Sequence, residues 1–327
     1  MKAIKFFAIS AMAAAMITSC SSEDELSQSN YPSDNIIRVT AGVNNAKTRA
    51  EGAGTEMKKD FSLTIVNKNA PKYTYTDKVF SKTSGDWACS ETLLWQKSDA
   101  LVDIVAFAPA QTGKFNGVYA EGSIQPITYS VADDQSTASD NNDLLYYYAK
   151  DFKPGDKLVN QKLNIQFNHA FCMIDIVVTL GTEFNKPSIP TTSPIVKVTL
   201  GGTKIAANVD VTNAASVVTA SGEATATDIT TTNGSFDKAA DPEANAKSHF
   251  SCIAIPQTVA ANTFKVSLMT ADKLYEWTSD KEITLQSGYR YTLELSMGND
   301  VVLLKGGSIS ASPWTEGDTG DKPLETD

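Results

Sequence analysis

Few side chains in this 327-residue chain can act as a nucleophile or soft metal ligand near neutral pH: four cysteines, Cys20, Cys89, Cys172 and Cys252, and two histidines, His169 and His249. There is no CxxC pair and no HExxH, so no metal site is expected. GxSxG, P-loop and dinucleotide-binding patterns are also absent, and "GTKIAAN" and "LKGGSIS" read as glycine-containing turns, not phosphate cradles. His169 lies inside a strand-like apolar run, where a hydrogen-bonded structural role is expected. Asp103 and Asp175 also interrupt apolar runs, and nothing in the sequence places them together as an acid/base pair. The expectation is a chain without a catalytic site or cofactor.

The first cysteine is the exception, because its setting implies chemistry. Lys2 and Lys5 precede a run of small and apolar residues from Phe6 to Ile17, too short for a membrane span. Ile17-Thr18-Ser19-Cys20 then resembles a bacterial lipoprotein signal: small residues fit the peptidase and the thiol accepts an acyl chain. Cys20 is therefore the expected lipidation site, with 1–19 as the signal peptide and the outer membrane as the precursor's anchor. One acyl chain holds a protein weakly to a bilayer and two or three hold it stably. The following "SSEDE" resembles export signals for surface lipoproteins in bacteria of the Bacteroides group, and reads equally as a solvated tether. Lipidation leaves three cysteines, enough for at most one disulfide. Cys172 and Cys252 fall in strand-like runs and are expected to be buried free thiols, with Cys89 also unpaired.

Removing Lys2 and Lys5 with the signal takes the formal net charge from −10 to −12. With no basic cluster, a nucleic acid is not an expected partner. Helical periodicity is scarce and period-two alternation recurs. "FSLTIV" (61–66) sets Phe61, Leu63 and Ile65 on one face; "LNIQF" alternates Leu163, Ile165 and Phe167 with polar residues; "GYRYTLELSMG" sets Tyr289, Tyr291, Leu293 and Leu295 against Arg290, Thr292, Glu294 and Ser296. Such alternation means one buried and one wet face, the pattern of antiparallel β-sandwiches. "GTEFNKPSIPTTSP" (181–194), with three prolines, reads as an interdomain linker. The aromatics of "DLLYYYAKD" (143–151), Trp87 and Trp95 could stack on sugars, although core packing is the favoured role.

The order of several motifs resembles the fimbrillin family, the type V pilus subunits and fimbrillin-like lipoproteins of the Bacteroides group. Trp95 precedes a strand ending in Phe107-Ala108-Pro109; Asp143–Tyr146 supplies an Asp-Leu-Leu-Tyr segment; Phe167–Ala170 supplies Phe-x-His-Ala. Near the C-terminus Gly288-x-x-Tyr291 and Ile309-x-x-x-x-Trp314 complete the pattern. The sequence departs from it at "HAFCMID", where the family has a Leu-Ser-Lys-like continuation. The resemblance implies an all-β chain of two transthyretin-like antiparallel β-sandwich domains, here 50–183 and 184–318, followed by a disordered tail, 319–327. It also implies assembly by strand exchange. The lipoprotein precursor is cut after an arginine, its first strand leaves, and a strand from another copy or a paralogous pilus subunit fills the groove.

The parts for this are present. "NIIRVTAGV" (35–43) places Ile37, Val39, Ala41 and Val43 on one face. The polar, glycine-containing run after it carries Arg49, and such runs are where proteases reach backbone. The expected cut is between Arg49 and Ala50, removing the tether and strand 20–49. The C-terminal stretch 301–314 is the best donor, hinged by Gly306 and Gly307. The expected product is a cell-surface fimbria that adheres to a host glycan or protein. The alternative is a surface lipoprotein that binds glycans and never polymerises.

Overall fold

The computed structural model describes residues 30–44, 55–57, 59–111, 124–137, 142–305 and 309–314. Cys20, Arg49, Ala50, Gly306, Gly307, the signal segment and the tail lie outside these described residues. The regular structure of the described residues is almost entirely strand. Its first part contains β1 (Val39–Val43), β2 (Thr55–Glu56), β3 (Phe61–Val66), β4 (Tyr75–Thr83), β5 (Asp86–Cys89), β6 (Val102–Ala108), β7 (Ile127–Ser130), β8 (Leu145–Phe152) and β9 (Leu163–His169). The remainder contains β10 (Cys172–Leu180), β11 (Ile195–Gly201), β12 (Ala206–Val209), β13 (Val218–Ala220), β14 (Ile229–Thr230), β15 (Thr232–Asp237), β16 (Ala246–Ala254), β17 (Thr258–Val259), β18 (Lys265–Thr270), β19 (Leu274–Thr278), β20 (Ile283–Thr284), β21 (Tyr289–Met297), β22 (Val302–Leu304) and β23 (Ser310–Pro313).

The first part forms one eight-stranded sheet in the order β2-β1-β9-β8-β6-β3-β4-β5. It folds over on itself. Phe61 on β3 lies 5.5 Å from Phe167 on β9 and 4.9 Å from Trp87 on β5, centroid to centroid, though β3 and β9 are three places apart in the sheet. The enclosed core takes its side chains from the alternating apolar positions of these strands, including Val39, Val43, Phe61, Leu63, Ile104, Leu163, Ile165 and Phe167. β3 departs from simple alternation, because all six of its residues are buried. The face bearing Ser62, Thr64 and Val66 is also covered, and the two hydroxyls are satisfied there: Ser62 Oγ accepts from Gln111 N (3.1 Å) and Thr64 Oγ1 from Asp77 N (3.0 Å).

The second part has a sheet in the order β15-β16-β10-β21-β22, with β23 also on β21, and a second sheet in the order β14-β11-β18-β19. A single apolar core joins them, lined by Ile174, Ile176, Val198, Leu200, Val266, Leu268, Leu293 and Leu295 among others. β10 alternates buried and half-buried residues along its whole length, as a strand with one core face should.

Two expectations need correction. The sheets are not purely antiparallel: β1 runs parallel to β9, and β10 parallel to β21. Alternation reports which face is buried and is blind to the partner's direction. The division of the chain also differs. β10 pairs with β16 and β21, so the path leaves the first sheet at Ala170–Phe171, not within 181–194. The proline-rich stretch instead links β10 to β11 inside the second part, where Asn185 Nδ2 donates to Pro242 O and Ala244 O at 3.0 and 2.8 Å. In the other direction, β7 pairs with β12 and so contributes to the second part from within the first.

Candidate functional site

The N-terminal strand is held like an inserted piece. β1 matches β9 over five residues, from Val39↔Leu163 to Val43↔Phe167. On its other side, among the described residues, it pairs with the two residues of β2. Below β1, Ile37 N donates to Leu93 O (2.9 Å) and Trp95 N to Asn35 O (2.8 Å). Ile37, Val39 and Val43 are buried and Ala41 is half-buried, so the face expected to be apolar is the face in the core. Ile37, Val39 and Val43 contribute roughly 5–9 kcal/mol before the cost of ordering the strand. The opposite face is polar. Arg38 hydrogen-bonds the Asp34 carboxylate and holds its pKa down at about 2, and Thr40 Oγ1 donates to Asn164 Oδ1 (3.1 Å). Nothing covalent joins 35–44 to the groove except the chain through 45–54.

Toward the other end of the chain, β22 and β23 lie along the outer edge of β21. Their register is antiparallel: Val302 opposes Met297 and Leu304 opposes Leu295, then Ser310 opposes Thr292 and Pro313 opposes Tyr289. The first two pairs sum to a register three residues out of step with the last two, so the edge strand is broken between its halves. Val302 is buried, whereas Val301 and Leu303 point outward with 51% and 59% of their surface exposed. The expected donor is thus packed in its own half of the chain.

Trp314, at the C-terminal end of the described residues, reaches β9 at His169. The Asp143 carboxylate can only accept, so the proton at His169 Nδ1 is donated to Asp143 Oδ1, 3.0 Å away. Lys59 Nζ lies 3.8 Å from the other oxygen. The imidazole stacks on the indole of Trp314 with centroids 3.7 Å apart and planes at 16°. Trp314 N donates to Gly288 O (2.7 Å) and Gly288 N to Phe171 O (2.9 Å). Gly288 has φ +71°, a conformation open to glycine, which accounts for the glycine of the Gly-x-x-Tyr motif. His169 Nε2 is buried and has no hydrogen-bond partner among the described residues. His169 and Trp314 were each legible as motif residues, but no sequence signal placed one on the other.

The remaining residues considered for chemistry are kept apart. Asp103, on β6, is buried and paired with Lys68 Nζ at 2.8 Å. Asp175, on β10, is paired with Arg290 of the parallel neighbour β21. That ion pair explains why Arg290, expected on a wet face, is buried. Among the described residues no three His, Cys, Asp or Glu side chains lie together as a metal would need. The aromatics weighed for sugar stacking are used internally. Trp95 is buried and stacked on Phe152 at 6.0 Å, Trp87 is edge-on to Phe61, and Tyr146, Tyr147 and Tyr148 are half-buried. A polar cleft of about 290 Å³ near Gly201, Asp228, Asn262, Lys265 and Glu276 has no ring in its lining.

Cys89, Cys172 and Cys252 are all free thiols. Burial pushes the pKa of both Cys172 and Cys252 far above the ordinary range, and the Cys172 thiol donates to Ala254 O (3.2 Å). Thiol titration without reductant is therefore expected to find three groups after denaturation, with Cys89 reacting first in the native protein. Finding one group after denaturation would mean that two of them form a disulfide.

Three comparisons bear on this arrangement. A family model described as fimbrillin-like matches residues 48–314, from just before Arg49 to Trp314. Among solved structures, a Bacteroides ovatus protein assigned to cell adhesion superposes with a TM-score of 0.61 at 16% identity, covering 85% of this chain and 97% of that one. A fimbrial protein from Bacteroides vulgatus superposes with a TM-score of 0.55 at 16% identity, covering 86% and 99%. No curated protein matches by sequence. The superpositions establish a shared fold over nearly the whole of both relatives, and the family match covers most of the sequence. The chain belongs to the fimbrillin-like family.

Proposed function

We propose that the chain is a structural subunit of a surface fimbria, made as a lipoprotein acylated at Cys20 and assembled by strand exchange after cleavage between Arg49 and Ala50. The observation that carries this reading is the state of β1. It fills a core-lining position, is held by one five-residue ladder and one two-residue ladder, and is tied to the rest only through the segment containing Arg49. Once that segment is cut, 35–44 can leave with only hydrogen bonds and apolar contacts to break. Its departure strips β9 of its pairing partner and exposes Leu163, Ile165 and Phe167. Such an edge is a template for a new strand.

The segment 301–314 of another copy, or the equivalent segment of a paralogous subunit, is the donor in this reading. Its broken register and its outward Val301 and Leu303 support the choice: it is the less well matched of the two end strands in its own subunit. The lipid leaves with 20–49, freeing the subunit from the outer membrane for the fibre, and adhesion to a host ligand is the property of the assembled polymer. The family's fimbrial and adhesion relatives support this placement at the cell surface.

Limited trypsin treatment of the lipid-free full-length precursor tests the reading. A ladder of species resisting heat and detergent is expected, appearing only after the cut near Arg49. Cut protein that stays monomeric with 35–44 still bound would sink it.

A further inference from the structure

We infer that Trp314 and His169 form an interlock through which the N-terminal strand, while in place, holds the C-terminal strand in its own subunit. The inference rests on the proposed loss of the one and exchange of the other, and adds a rule for their order.

The contacts run without a gap from one strand to the other. At the end of β1, Asn44 N donates to Phe167 O (2.7 Å) and Asn44 Nδ2 to Asn168 Oδ1 (2.8 Å). The next residue on β9 is His169. Its ring is fixed from one side by Asp143, and β8 pairs with β9 only here, through Leu145↔His169 and Tyr146↔Asn168. The fixed imidazole is the platform for Trp314, the residue that closes β23 against Gly288. β9 therefore has β1 along residues 163–167 and β8 at 168–169, and its final residue carries the indole.

The energetics favour a release in sequence. β23 faces β21 with Ser310, Ala311, Ser312 and Pro313, of which all but Ser312 are exposed, so the ladder itself buries little apolar surface. Trp314, 8% exposed, is the large side chain that anchors this half of the edge strand. Its platform is rigid only while β9 is rigid, and with β1 gone β9 keeps ladder partners at two of its seven residues, 168 and 169. The unpartnered, buried His169 Nε2 adds to this, since a loosened ring gains water at that nitrogen. Loss of the N-terminal strand thus weakens the hold on the C-terminal one. A subunit that still lacks a free groove keeps its donor docked, which prevents one-sided exchange before processing.

Hydrogen exchange on the full-length chain tests this at the backbone amides of Ser310, Ser312 and Trp314, which face β21. Val43→Asp places a charge at a buried position and drives the end of β1 from its groove. It is expected to speed exchange at these three amides about tenfold, although they lie in another sheet. Trp314→Leu alone should give a similar increase, and Val43→Asp added to it should give no more. Amides of β16 report that the fold persists. If Val43→Asp unfolds them, Asn44→Ala, which removes only the contact with Asn168, is expected to give about a threefold increase in the same amides. Opening of β1 with unchanged exchange at 310–314, or increases that multiply in the double variant, would overturn the interlock. These ratios are independent of polymerisation: absence of a ladder in the trypsin experiment defeats the fimbrial reading and leaves them as they are.

Discussion

Arg49→Ala is expected to abolish fibre formation on cells while leaving folding and thermal stability unchanged. Arg49 falls in the polar, glycine-bearing stretch of sequence between β1 and β2, a composition from which no contribution to an apolar core is expected. Substitutions away from core, cap and buried polar networks change stability by about half a kcal/mol or less. The whole of the expected effect therefore comes from chemistry. Without the cut, 35–44 stays covalently attached beside its groove, at an effective concentration no incoming strand can match. Electron microscopy of cells, with circular dichroism of the purified variant, separates the two effects. Normal fibres from a variant processed only at Cys20 would show that strand removal is not the trigger.

The second large effect is on stability. Phe61→Ala is expected to cost about 3–5 kcal/mol, a large share of the stability of a domain this size. Phe61 is fully buried, lies 5.4 Å from Phe80 and packs against Trp87 and Phe167, so its ring joins both layers of the folded-over sheet. No neighbour can close the space left. Urea denaturation should show a midpoint lowered well beyond that of a surface control. A shift under about 1 kcal/mol would mean that the two layers do not depend on this contact. Deleting everything after Met297, by contrast, is a poor test of the donor. It removes β22, β23 and Trp314 from the edge of β21, and so damages the subunit as well as any exchange.

Much of the fold was legible because β strands advertise their buried face. β1, β9, β10 and β21 place their alternating apolar residues inward, except for Tyr289 at the start of β21, which is exposed, and the strand character of the chain followed from that pattern. Three features were not legible, each for a physical reason. Strand direction leaves no trace in alternation, so the parallel β1–β9 and β10–β21 pairs came only from the structure. Proline content marks irregular backbone without saying whether it joins two domains or two strands of one, hence the misplaced boundary at 181–194. Buried ion pairs also break the pattern: Arg290 looked wet because its partner, Asp175, is 115 residues away. The site was legible in halves. The inserted strand could be read locally, whereas the stacking of His169 on Trp314 depends on two sheets meeting.

The most direct test of the central claim is the N-terminus of the subunit inside the fibre. Fibres sheared from cells should yield, by mass spectrometry of the dissociated subunit, a chain beginning at Ala50 with no lipid and no residue of 20–49. A subunit that begins at acylated Cys20 and retains 35–44 within the fibre would contradict assembly by strand exchange.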